Sequence, residues 1–309
     1  MAKPSGGIGK AGPGAAPVIR RMNTQPRRFP SPKSPTLGLV ALLALAACGD
    51  GGADVRSAEA LEVAAAEAPA PDYAALPEPI AAVARTHATG VPADRALAYG
   101  LDLTFGGKPR FRGSVMHTPS MDRIAMTRRD DGAALHYDGQ AVALMRDDTS
   151  LQWPRARFDV FTWPYFATAP FKLADPGTQW DPARSYPWTD GDPATAARLT
   201  FAAGTGDAPD DYYVVFPDAG GRLGGMAYVV TFGKPAADVD SLAPHAIRYH
   251  DYRDVDGVPV AHRWTFHDWN PTDGLGAAVI GEATLTDARW VAADESRFAT
   301  TGGAEVPRG

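Results

Sequence analysis

The chain has 309 residues, with 30 Lys and Arg against 36 Asp and Glu, a formal net charge of −6 at pH 7. Seven of the basic residues and none of the acids lie in the first 47 positions, so the remaining 262 residues hold 23 basic against 36 acidic side chains, a net −13. A surface that acidic repels nucleic acid and anionic headgroups, which excludes both as partners of the folded part. With Cys48 as the single cysteine, no disulfide forms within the chain and stability rests on a packed core.

The first segment, residues 1–47, reads as a secretory leader. Leu37 to Ala47 (LGLVALLALAA) is uncharged, follows Arg20, Arg21, Arg27, Arg28 and Lys33, and is too short to span a bilayer as a mature helix. Its exit, Leu45-Ala46-Ala47-Cys48, resembles a bacterial lipobox, which implies that Cys48 becomes the lipidated first residue of the mature protein. An ordinary cleaved signal with Cys48 as a plain buried thiol, and a retained membrane anchor, are the competing readings. A start at Met22 would give a leader of more ordinary length. Two or more acyl chains hold a protein firmly on a membrane, so the expected address is the bacterial cell envelope, lipid-anchored and facing the periplasm. Gly49 stands where an inner-membrane retention signal resembling Asp would be, which favours the outer membrane.

Residues 48–76, rich in Gly, Ala, Pro and acids, read as a flexible tether. A helix is predicted from Pro79 to about His87, with Ile80, Val83 and Ala84 on one face and Gly90 and Pro92 ending it. The period then becomes two: Tyr99, Leu101, Leu103 and Phe105 alternate with Gly100, Asp102 and Thr104. Gly106-Gly107 makes a turn, and strand-like runs follow at about 108–118, 121–129, 132–137 and 140–146, the last two split by the hairpin signal Asp138-Gly139. Strands resume at about 196–203, 210–217, 222–233, 244–252, 258–269 and 277–291. Some eleven short antiparallel strands with one early helix predict a mainly β (α+β) fold, an incomplete antiparallel barrel. One domain over 77–292 suffices, followed by a disordered tail at 293–309.

The break at 147–195 holds ten aromatic residues, Trp153, Phe158, Phe161, Trp163, Tyr165, Phe166, Phe171, Trp180, Tyr186 and Trp188, interleaved with seven prolines. So many prolines forbid a long helix or a central strand, and the segment reads as an ordered loop. An ordered insertion with one helical turn near Phe158–Thr162, held down by its rings, is the expectation.

An N-terminal helix, antiparallel strands, an aromatic insertion and further strands together resemble the LolA/LolB-like lipoprotein-carrier superfamily, and within it uncharacterised envelope lipoproteins. The matching stretches are Ala84-Arg85-Thr86-His87 leading to Gly90, Trp163-Pro164-Tyr165-Phe166 followed by Pro170 to Gly177, and Tyr249 to Pro259. The resemblance spans roughly 77–292 and implies an incomplete barrel wrapped round an apolar cavity and plugged by helices. Its motifs are turn and packing features without catalytic content, and the long insertion exceeds the short plugs of the simple carriers.

The residues offer little for catalysis. If Asp256-Gly257 is a two-residue turn, Asp251 falls opposite His262, Tyr249 opposite Trp264 and Ile247 opposite Phe266, while His250 and Arg263 pair on the other face. His245 and His250, like His262 and His267, are five apart and so face opposite ways on a strand, giving no metal site and no cofactor. There is no Gly-x-Ser-x-Gly elbow, the glycine-rich spots at 204–206 and 220–225 fall in hairpin turns, and Asp210-Asp211 reads as a solvated turn. The aromatic insertion either fills the core or lines an apolar cavity, and the cavity candidates are Trp163, Tyr165, Phe166, Phe171, Lys172, Tyr249, Trp264 and Phe266, with Lys172 and Arg157 meeting an acidic head at the mouth. The expected function is a non-enzymatic, lipid-anchored envelope protein that binds a lipid or lipoprotein acyl chain. A non-catalytic interaction or sensor scaffold, and an uncharacterised enzyme, are the alternatives.

Overall fold

Alternation of apolar and polar side chains drives the long strands of this chain. A computed structural model describes residues 72–308 apart from 190–191, 235–238 and 240; the leader and Cys48 lie outside the described residues. Helix α1 (Ile80–Ala88) comes first, and then β1 (Arg95–Phe105), β2 (Lys108–His117), β3 (Ile124–Arg128), β4 (Ala134–Tyr137) and β5 (Val142–Met145). Helix α2 (Ala156–Thr168) follows, then β6 (Thr178–Trp180), β7 (Arg184–Pro187), β8 (Pro193–Phe201), β9 (Tyr213–Pro217) and β10 (Leu223–Tyr228). The chain closes with β11 (His245–Val255), β12 (Val258–Asn270), β13 (Gly274–Leu275), β14 (Gly281–Ala292) and β15 (Ala304–Val306).

The strands form one antiparallel sheet in the order β15-β5-β4-β3-β2-β1-β14-β12-β11-β10-β9-β8-β6, with β13 on β12 and β7 on β8. Its two ends, β15 and β6, do not pair with each other, so the sheet is a barrel left open. Pairing of β1 with β14, which sets Leu101 beside Leu285 and Leu103 beside Ala283, joins the early strands to the late ones. One face of the long strands is thereby apolar: Leu97, Tyr99, Leu101 and Leu103 from β1 and Trp264 and Phe266 from β12 are all buried. All eleven sequence-read strands are present. The four additional ones, β6, β7, β13 and β15, have only two to four residues, too few for alternation to register.

The β11–β12 hairpin keeps the register its turn dictates. Asp256 (φ 52°) and Gly257 (φ 90°) take the two left-handed positions of the tight turn, Val255 pairs with Val258, and Tyr249 with Trp264. The expected Asp251–His262 pair does not form. Asp251 adopts φ 51°, which turns its carboxylate outward to Arg253 at 2.6 Å, while His262 stays buried with Nδ1 3.0 Å from the Val260 carbonyl.

Both helices cover the concave face. Ile80, Val83, Ala84 and His87 of α1 are buried. The His87 Nδ1–H donates to the Pro259 carbonyl (3.1 Å), and its Nε2 accepts the Leu223 N–H (3.1 Å), which ties α1 to two hairpins. Helix α2 corrects the single turn expected near Phe158–Thr162: it runs thirteen residues and contains Pro164. A proline removes one hydrogen bond and crowds the preceding turn, but here Phe158, Val160, Trp163, Pro164 and Phe166 are all buried, and burial of that much apolar surface outweighs the loss. The buried Asp159 is satisfied by the Trp153 and Trp163 indole N–H groups (2.8 and 3.0 Å) and by Arg110 (2.8 Å).

Two boundaries also shift. Residues 72–76 belong to the domain, not the tether, since Tyr73–Ala75 form a 3-10 turn and Leu76 is buried in the core. The tail expected to be disordered is folded: Phe298 is buried against Ala96 and Ala125, and β15 pairs with β5 through Glu305 and Ala143. One ring with a ready cleft anchors what is otherwise a polar segment. On the convex side Trp188 stacks on Phe216 with centroids 3.9 Å apart, lying over Gly225, where any Cβ would meet the indole at 2.4 Å.

Candidate ligand cavity

Between α2 and the β8–β10 end of the sheet lies a cavity of about 490 Å³. Its helical wall is one stripe of α2: Phe158, Phe161, Thr162 and Tyr165, at i, i+3, i+4 and i+7. The opposite stripe, Asp159 and Trp163, packs into the core. A helix placed between a sheet and a hollow is apolar on both sides, which is why its periodicity is weak. The sheet wall carries Phe201 of β8, Tyr213 of β9 and Tyr228 of β10, continued by Val230 and Phe232, while Met121 comes from the β2–β3 connection and Tyr137 from β4. The β8–β9 loop, residues 204–208, makes the remaining side.

The rings touch in a row: Tyr165 meets Tyr213 at 5.3 Å, Tyr213 meets Tyr228 at 6.2 Å, and Phe158 meets Phe232 at 5.7 Å. Burial pushes the phenols of Tyr165, Tyr213 and Tyr228 above their ordinary range, so they stay neutral donors. Asp211 sits close to Tyr213 and accepts from the Thr231 amide and hydroxyl, both at 2.7 Å. It is therefore no solvated turn residue; burial raises its carboxyl above the usual carboxylate range.

Charges at the rim come in pairs. Arg157, only 8% exposed at its side chain, makes a two-pronged contact with Asp207 of the β8–β9 loop, one prong at 2.9 Å. Lys172 pairs with Asp175 and donates to the Ser120 carbonyl at 2.9 Å. The acidic head expected to meet Lys172 and Arg157 thus finds both already neutralised. Arg308 also borders the cavity, near Tyr137.

The eight sequence-predicted cavity residues divide. Tyr165, Phe166 and Lys172 lie on the wall. Trp163 is buried against Phe105, Phe158 and Phe266, and Phe266 is itself fully buried at 4.8 Å from Phe105. Tyr249 packs edge-on to Trp264 and donates to the Phe166 carbonyl at 2.8 Å, and the gap these residues border is about 10 Å³, room for one water at most. Phe171 lies against His87 and Trp290 under α1. Wall residues Phe201, Tyr213, Tyr228 and Phe232 went unread, although Tyr213 and Tyr228 lie within strands whose alternation was visible.

The lining contains no histidine, cysteine or serine among the described residues. Among the described residues no three His, Cys, Asp or Glu side chains converge on a metal position, and no helix is long and apolar enough to cross a membrane.

No protein-family model matches the chain, and no curated protein matches it. Among solved structures it is similar to a LolA superfamily protein from Nitrosomonas europaea, at 12% identity and a TM-score of 0.47, covering 71% of this chain and 95% of that one. It is also similar to a DUF1329 family protein from Desulfovibrio piger, at 11% identity and a TM-score of 0.39, with the same coverages. No residue role is carried over from either.

Proposed function

We propose that this protein is a non-enzymatic, lipid-anchored protein of the bacterial envelope that holds an apolar or amphipathic ligand in the aromatic cavity beside α2. The observation that carries this reading is the cavity itself. Its volume of about 490 Å³ falls within the range of about 300–1,000 Å³ usual for small-molecule sites, and its walls combine nine aromatic rings with nine polar or charged side chains. The sequence supplies the proposed address through the leader and Cys48, which would put the outer membrane and its lipids or lipoproteins within reach.

Displacement of a fluorescent acyl probe tests the reading. Phe161→Trp, which narrows the cavity from its helical wall, is expected to weaken probe binding at least tenfold with the melting temperature kept. Equal uptake by Phe161→Trp and parent sinks it. A second reading, an interaction scaffold, draws support from the packed part of the concave face round Trp163, Trp264 and Phe266. Native mass spectrometry of protein extracted gently from its own membrane separates the two: a co-purifying lipid supports the first, a stoichiometric protein partner the second.

A further inference from the structure

We propose that the cavity selects ligands with a neutral hydrogen-bonding head, a hydroxyl or ester, over ligands with an ionised one such as a carboxylate or phosphate. This rests on the binding reading above and adds a substrate class to it.

The inference comes from a census of the polar groups on the cavity wall. The cations Arg157 and Lys172 are held by Asp207 and Asp175, so an anionic head has to break an ion pair or lie next to a carboxylate. Asp211, deeper among the tyrosines, repels an anion further. Arg308 lines the cavity, exposed, near the same Tyr137 that Arg157 and Asp207 approach. Among the described residues no histidine lines the cavity to supply a switchable charge.

The phenols of Tyr165, Tyr213 and Tyr228 face the cavity, make no hydrogen bond to another described residue and share one stretch of wall. A ligand oxygen set between them takes the place of cavity water at these donors. A hydroxyl or ester oxygen placed between these rings accepts from the phenols without bringing charge into an aromatic enclosure. An ionised carboxylate there loses its hydration and faces Asp211.

The test uses three single-chain amphiphiles of equal chain length, a monoacylglycerol, a fatty alcohol and a free fatty acid at pH 8, each displacing a neutral fluorescent acyl ester from the folded protein. The neutral pair is expected to displace the probe at concentrations at least tenfold below the acid. Tyr213→Phe and Tyr165→Phe keep the rings and remove the hydroxyls, and are expected to close that gap while the melting temperature holds. Equal or better displacement by the acid overturns the proposal while leaving the binding reading in place, as does an acid affinity that Arg308→Ala abolishes. A gap unchanged in both Phe variants also overturns it. If none of the three displaces the probe and the probe itself does not bind, the cavity reading fails and this proposal goes with it.

Discussion

His87 shows how one side chain sets a pH limit on the fold. The Pro259 carbonyl can only accept and the Leu223 amide can only donate, so the ring is fixed as the neutral Nδ1–H form. Burial, the largest cause, pulls its pKa down from 6.5 to about 4. The unfolded chain therefore binds a proton more readily than the folded one between those values. Stability from this group is whole above pH 6.5 and drains away as pH falls towards 4; a displacement of that size corresponds to about 3 kcal/mol. His117, fully buried with Nδ1 on the Thr118 carbonyl, is pulled to about 4 for the same reason and adds to the loss. In His87→Gln the side-chain amide can donate to Pro259 and accept from Leu223 without titrating. Its denaturation midpoint is expected to fall less steeply between pH 7 and 4.5 than the parent's, and parallel slopes would refute the assignment.

At the scale of elements, the two stripes of α2 predict opposite phenotypes. Trp163→Ala empties a core position and deprives Asp159 of one donor, so a loss of about 3–5 kcal/mol is expected in chemical denaturation. Phe161→Ala, on the cavity stripe and half-buried, is expected to cost about 1 kcal/mol and to act on ligand uptake instead. If the two cost the same, the division of the helix is wrong. The β8–β9 loop is clasped to α2 by the Arg157–Asp207 pair. Asp207→Asn keeps the shape and removes the charge, so bound probe is expected to leave several-fold faster in stopped-flow, with about 1–3 kcal/mol of stability lost as the nearly buried Arg157 loses its counter-charge; an unaltered off-rate would mean the loop is no gate. Helix α2 was the element least legible in the sequence. Pro164 and its neighbouring prolines spoke against it, and a helix apolar on both faces gives no clean stripe, whereas α1, with one buried face of Ile80, Val83 and Ala84, was readable directly.

Across the whole molecule, the C-terminal segment closes one flank of the open sheet. Phe298 fills a cleft beside Ala96 and Ala125, the Ala299 carbonyl lies 2.8 Å from His136 Nδ1, and Thr300 donates to Asp138 at 2.6 Å. Ending the chain after Ala293 removes all three together with β15, and the melting temperature is expected to fall by several degrees; Phe298→Ala alone should cost about 3–5 kcal/mol. A truncated protein melting with the parent would show the segment to be ornamental. In the intact fold, α1 and α2 fill much of the concave face, and among the described residues a hollow remains between α2, the β8–β10 end and Tyr137 of β4. The greasy interior expected from the alternating strands is thus mostly solid.

Local chemistry alone determined the strands, α1 and the β11–β12 register, because period-two burial, a one-sided apolar helix face and a two-residue turn act within a few residues of one another. The sequence likewise supplied the leader and Cys48 as an expected address. Tertiary structure decided which rings face the hollow and which fill the core. Trp163 and Tyr165 are two residues apart, equally aromatic and on the same helix, yet one packs on Phe266 and the other on Tyr213 across the cavity. It also decided the partners of Arg157 and Asp211, since Asp207 and Thr231 lie fifty and twenty residues away along the chain. Separations of that length are closed only when the sheet curves, and no pattern inside a short window encodes where the two ends meet.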